Sequence, residues 1–206
     1  MKSIKALLPL ALLSTGACKD VEDHDHDHHH HEHETITTIE LTFSPADGSG
    51  GLVFVWTDPE DDGSPVIDDI VLSSAVADYQ LSVSFWNELE SPRENITPEV
   101  EAEGDEHQIF FTGSGLEGPA TGDNVDAIIT HAYADADADG NPIGLVNEVS
   151  TVASGTGELE LTLRHLAYEN GEPVKTDSLA DDVASSGFDS IPGDNDVQIT
   201  FNIEVE

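Results

Sequence analysis

The chain has 206 residues, with 43 Asp and Glu against 6 Lys and Arg, for a formal net charge of -37 at pH 7. Nothing on such a surface neutralises phosphates, which excludes nucleic acid as a partner, whereas the same charge attracts cations and keeps the chain soluble. Hydrophobic residues make up 37% of the chain, enough for a thin core because they are strongly patterned.

Residues 1–17 carry Lys2 and Lys5, an apolar run from Ala6 to Leu13 and the small residues Ser14-Thr15-Gly16-Ala17. This is the pattern of a secretory signal, too short to span a bilayer. The only cysteine, Cys18, follows directly. Residues 18–34 then form a leader in which seven of the ten histidines fall within ten positions, as Asp23-His24-Asp25-His26-Asp27-His28-His29-His30-His31-Glu32-His33-Glu34. No packed core accommodates such a segment. Imidazole nitrogens bind zinc, nickel and copper(II), and carboxylates add oxygen ligands. Beyond Cys18 the chain has neither cysteine nor methionine, so copper(I) and iron-sulfur roles are disfavoured and zinc is the first choice, with nickel and copper(II) behind it. A solvated tract of this kind captures and exchanges ions, because ordering it costs roughly 1 to 2 kcal/mol per residue. The bland alternative is a polar spacer.

From residue 35 onward the chain reads as one domain, 35–206, built from period-two strands. Ile39, Leu41 and Phe43 share a face; so do Tyr79, Leu81, Val83 and Phe85, then Leu159, Leu161 and Leu163, and finally Val197 to Val205 in steps of two. Leu52 to Trp56, His107 to Phe111, Val125 to Tyr133 and Ile143 to Val152 are further candidates, the first apolar enough to lie centrally. Helical signal is confined to Thr97–Gly104, with proline at the first helical position and a terminal glycine, and to a turn or two at Leu179–Ala184. The expectation is an all-β fold, an antiparallel sandwich with Greek-key crossings and an Ig-like outline, carrying one short helix near 98–103.

Within the domain, three histidines stand at strand ends or inside strands: His107, His131 and His165. Brought together they would form a second, three-histidine metal site with an open position; three unrelated histidines is the competing reading. Asp135, Asp137, Asp139 and Asn141, with Gly140 at position 6, match the first half of a calcium loop. Val146 at position 12 excludes a true EF-hand but leaves a simpler calcium loop between strands. Asp194-Asn195-Asp196 reads as an acidic, solvated turn. Gly113-Ser114-Gly115-Leu116-Glu117-Gly118 fits a dinucleotide pattern, but Pro119 stands where a helix should begin. No nucleophile-base arrangement stands out, so the chain is read as a binding protein and not an enzyme.

Several of these segments carry a resemblance. Ser14-Thr15-Gly16-Ala17-Cys18 resembles a bacterial lipobox, which implies acylation of Cys18 and anchoring in a membrane through N-terminal lipid. Lys19-Asp20-Val21-Glu22-Asp23 is similar to the acidic export signal that places lipoproteins of the Bacteroidota on the outer face of the outer membrane. Together with the His-rich leader, Gly104 to Gln108, Asn141 to Gly144 and Arg164-His165, the chain resembles a group of Bacteroidota lipoproteins found near TonB-dependent receptors. That group often bears a "type 1 periplasmic binding fold" label, which calls for alternating strands and long helices; the pattern here has neither and favours the sandwich. Asp177-Ser178-Leu179 and Asp189-Ser190-Ile191 are similar to the O-glycosylation sequence of the same bacteria, pointing to Ser178 and Ser190. The resulting expectation is a surface lipoprotein that captures zinc or a similar ion on its leader and presents it to an outer-membrane uptake partner. A calcium-stabilised adhesion or polymer-binding module, with the leader as spacer, is the alternative.

Overall fold

The computed structural model describes residues 35–206. The lipidation and leader assignments, Cys18 and Asp23 to Glu34, lie outside the described residues. The period-two runs become the long strands: β1 (Thr38–Pro45), followed by β2 (Leu52–Thr57), β3 (Val66–Ile67), β4 (Ile70–Leu72) and β5 (Asp78–Asn87). After β6 (Glu94–Asn95) and helix α1 (Thr97–Ala102) come β7 (His107–Thr112), β8 (Leu116–Glu117), β9 (Ile129–Tyr133), β10 (Val146–Thr151) and β11 (Gly155–His165). Helix α2 (Leu179–Ser186), a 3-10 turn at Phe188–Ser190 and β12 (Asp194–Val205) complete the chain.

The strands form two sheets, one ordered β3-β2-β1-β5-β10-β9-β8 with β6 on β5, the other β4-β12-β11-β7. In the first, β5 returns beside β1 after the β1-β2-β3 meander, which is a Greek-key order. Two short pairings, β8 with β9 and β4 with β12, are parallel, so the sandwich is antiparallel in its long strands only. Alternation does the expected work. Ile39, Leu41, Phe43, Leu81, Val83 and Phe85 face Ile109, Phe111, Leu161, Leu163, Phe201 and Ile203 in one buried cluster, each large side chain contributing roughly 1.5 to 3 kcal/mol on burial.

Three strand expectations shift. Leu52 to Trp56 lies next to the sheet edge and not centrally, and Val53 is 53% exposed. Val125, 97% exposed, stands outside its strand, which begins at Ile129. Ile143 and Leu145 precede β10 yet are buried all the same. Helix α1 has its N-cap at Ile96, and Thr97 Oγ1 accepts the Phe85 N–H instead of capping the helix.

Strand β7 is buried on both faces. Its inner residues Ile109 and Phe111 join the inter-sheet core, while Phe110 meets Leu179, Ala180 and Val183 of α2 and stacks edge-on with Phe188 at 5.5 Å. Helix α2 therefore covers the outside of the second sheet next to the strand that begins with His107.

Candidate metal centre

Three side chains converge at one end of the second sheet. His107 opens β7 and His165 closes β11, and the antiparallel register makes them direct partners, with ring centroids 4.7 Å apart. Neighbouring β12 supplies the third. The register of β11 on β12 slips between Leu163, opposite Val197, and Arg164, opposite Asn195, leaving Asp196 as the extra residue of a β-bulge. A bulge re-aims a side chain. Here it turns Asp196 inward: Oδ2 lies 3.6 Å from His107 Nε2 and Oδ1 lies 3.9 Å from His165 Nδ1.

The backbone around the bulge is held on both sides. Arg164 donates from Nε to the Pro192 carbonyl, from Nη2 to the Ile191 carbonyl and from Nη1 to Asn195 Oδ1. Gly193, at φ +85°, lets the chain pass so close to β11 that a Cβ there would lie 2.0 Å from the His165 carbonyl oxygen. Only glycine tolerates that conformation at that approach.

His107 is oriented from outside the cluster. Its Nδ1 lies 3.2 Å from the Glu103 carbonyl oxygen, which accepts a hydrogen bond from the ring N–H and leaves Nε2 aimed at Asp196. Lys175 secures the same turn, donating from Nζ to the carbonyls of Gly104 and, at 2.8 Å, His107, while pairing with Asp137 Oδ2 at 3.2 Å. That ion pair is almost wholly buried, with side chains 1% and 3% exposed. Burial depresses the Lys175 pKa, against the pull of Asp137. For Asp137, burial pushes upward, but the Asn141 N–H and the Lys175 charge outweigh it and the net shift is downward.

The ligand atoms of His107, His165 and Asp196 all lie within 4.8 Å of one another, and this is the cluster with metal-holding geometry among the described residues. Their side chains are 0%, 7% and 0% exposed. A tetrahedral ion with bonds near 2.1 Å sets its donors about 3.4 Å apart, so the 3.6 and 3.9 Å spacings, which run to different Asp196 oxygens, and the remaining separations of up to 4.8 Å must contract for one ion to bind all three. Two imidazoles and a carboxylate suit zinc, with nickel and copper(II) as neighbours in preference.

The expected three-histidine site is thus corrected: two of its members meet, and Asp196 replaces the third. His131, on β9 of the opposite sheet, packs between Phe111 at 4.7 Å and Tyr133 at 4.9 Å. Phe111 lies four residues along β7 from His107, about 13 Å at strand rise. His131 Nε2 lies 2.9 Å from Asn147 Oδ1. Because the Asn147 amide donates to the Gly144 carbonyl, Nε2 carries the proton. Burial lowers the His131 pKa to about 4, so it is a neutral core residue.

The Asp135–Asn141 loop is stabilised internally. Asp135 accepts the N–H groups of Gly144 and Val146 on its two oxygens. Asp137 accepts those of Asp139 and Asn141 on Oδ1 and holds the Lys175 ammonium on Oδ2. A lysine ammonium therefore stands at the loop carboxylate where a calcium ion would bind. Ser178 and Ser190 are exposed, the first at the N-cap position of α2 without a side-chain capping bond and the second in the 3-10 turn. The Tyr168 hydroxyl donates to Asp105, and that bond raises its pKa to about 12.

No family model matches the chain, and neither the curated proteins nor the solved structures contain a significant match. Among the described residues, no helix is long and apolar enough to cross a membrane.

Proposed function

We propose that this protein is a divalent-metal carrier of the zinc class, holding one ion at His107, His165 and Asp196 and gathering further ions on the histidine and carboxylate tract from Asp23 to Glu34. The observation that supports it above all is the inward turn of Asp196 toward two adjacent imidazoles. The near-complete burial of all three side chains leaves little room for a substrate and favours retention over catalysis. In this reading the tract exchanges ions quickly and the buried centre slowly. The basic residues of the domain are spent internally: Arg93 stacks on Trp86 at 3.8 Å and pairs with Glu40 and Glu88, Arg164 clamps the bulge, and Lys175 is buried. The remaining acidic surface attracts cations. Acylation at Cys18 would tether the carrier to the outer membrane at the cell surface, beside an uptake partner such as a TonB-dependent receptor.

The calcium-stabilised adhesion module has less support, because Lys175 already neutralises Asp137. Calorimetric titration of the mature protein with zinc tests the proposal. The parent should show several weak equivalents and one tight one. A variant lacking Asp23 to Glu34 should keep only the tight equivalent, and Asp196→Asn should lose it. A parent without any tight equivalent would leave the cluster as a buried histidine-carboxylate pairing and overturn the proposal for the domain.

A further inference from the structure

The two imidazoles of the centre are arranged alike. Each turns one nitrogen toward Asp196 and the other toward an oxygen outside the cluster. For His107 the inner atom is Nε2, 3.6 Å from Asp196 Oδ2, and the outer atom is Nδ1, 3.2 Å from the Glu103 carbonyl. For His165 the inner atom is Nδ1, 3.9 Å from Asp196 Oδ1, and the outer atom is Nε2, 3.7 Å from Glu106 Oε2. Glu106 immediately precedes His107 in the turn after α1, and its side chain is 18% exposed, more than any of the three inner groups.

We infer that Glu106 is a positioning residue of the candidate metal centre, accepting a hydrogen bond from the Nε2–H of His165 so that this histidine ligates through Nδ1. This rests on the metal-carrier reading of His107, His165 and Asp196. A ligating imidazole almost always donates its other N–H to a carboxylate or carbonyl, which fixes its tautomer, orients the ring and raises its basicity. His107 meets that requirement through the Glu103 backbone. His165 meets it through Glu106, once the 3.7 Å gap closes by about half an ångström to hydrogen-bond distance. The same approach draws the His165 ring into line with Asp196. The turn that supplies both outer oxygens is the one Lys175 secures through the Gly104 and His107 carbonyls. Asp196 would then offer two oxygens facing two nitrogens, a four-donor set without Glu106 as a ligand.

The test uses the full mature chain, its variant lacking Asp23 to Glu34, and Glu106→Gln and Glu106→Ala in that shortened background. Zinc affinity is read by competition with a chromophoric chelator, coordination by the visible absorption of the cobalt(II) form, and the tautomer by 15N shifts of His165. Glu106→Ala should weaken zinc about 10- to 100-fold. Glu106→Gln, whose uncharged amide oxygen still accepts a hydrogen bond, should fall between it and the parent. The cobalt(II) band pattern should persist in both variants at saturation, and His165 should show a metal-shifted Nδ1 and a protonated Nε2. Unchanged affinity in both variants overturns the inference, as does a metal-shifted Nε2 or loss of the tetrahedral cobalt bands, which would make Glu106 a ligand. If the shortened parent itself binds no zinc, the metal-carrier reading of the domain fails instead. Glu106→Gln preserves side-chain size and keeps the test decisive should the alanine variant lose its fold.

Discussion

His107 and His165 are opposed residues on adjacent strands, β7 and β11, with imidazole centroids 4.7 Å apart at the point where β12 bulges. Two imidazoles tilted at 60° to each other beside a shared carboxylate would gain from an ion that binds all three. Zinc at 100 times its dissociation constant stabilises the folded state by about 2.7 kcal/mol. In a domain of this size, that raises the melting temperature by roughly 5 to 10 °C. Differential scanning calorimetry with and without zinc should show the rise in the variant lacking Asp23 to Glu34 and not in His107→Ala. A rise that survives His107→Ala would place the stabilising ion elsewhere.

The sequence made the long strands legible because each pairs a buried face with a solvated one, as Leu159, Leu161 and Leu163 do in β11. It did not show β3, β4, β6 or β8, which are two or three residues long and too short to display a period. The exposure of β2 was hidden for a different reason. Its run of apolar residues reads as central, yet it packs beside the two-residue edge strand β3. Of the metal cluster, His107 and His165 were visible as histidines at strand ends. Asp196 was not, because in β12 the inward residues from Val197 to Val205 are odd-numbered and parity assigns Asp196 to solvent. The bulge reverses that parity just before Val197. Gly193 and the acidic turn beside Arg164 were its only traces in the chain. His131 obeyed its parity, but the face it shares with Ile129 leads to Phe111 and Asn147 and not to the other histidines.

Lys175 and Asp137 form a pair whose members depend on each other. Removing the ammonium leaves a carboxylate 3% exposed and takes a donor from the Gly104 and His107 carbonyls. Breaking a buried pair from one side costs about 3 to 5 kcal/mol. Lys175→Met should lose about that much stability in urea titration, and adding Asp137→Asn should restore part of it. A loss under about 1 kcal/mol, typical of exposed pairs, would contradict the burial described. Millimolar calcium should leave the parent's melting temperature unchanged, since Lys175 already serves the loop.

The buried neutral His131 makes the fold sensitive to acid. Its pKa is lowered by burial from 6.5 to about 4, so as pH falls the unfolded chain takes up the proton first. Its contribution is therefore complete above pH 6.5 and is lost progressively down to about pH 4, for a total of about 3 kcal/mol. His131→Gln should be less stable than the parent at pH 7 but lose less on acidification to pH 4.5. Parallel stability profiles for the two proteins across that window would show that His131 is not the titrating group.

Gly193 links backbone geometry to the candidate metal centre most directly. Its φ is +85°, and a methyl group added at its Cα would come within 2.0 Å of the His165 carbonyl oxygen, so Gly193→Ala must move either the start of β12 or the end of β11. Either shift changes the separation of Asp196 and His165, now 3.9 Å between Oδ1 and Nδ1. The variant should lose more than about 1 kcal/mol of stability, since alanine at positive φ is strained even without the clash. It should also bind zinc more weakly than a variant destabilised at least as much far from the centre. Phe43→Ala, in the inter-sheet core, supplies that comparison, with an expected cost of about 3 to 5 kcal/mol. If both variants retain the parent's zinc affinity while folded, the bulge does not set the geometry of the site.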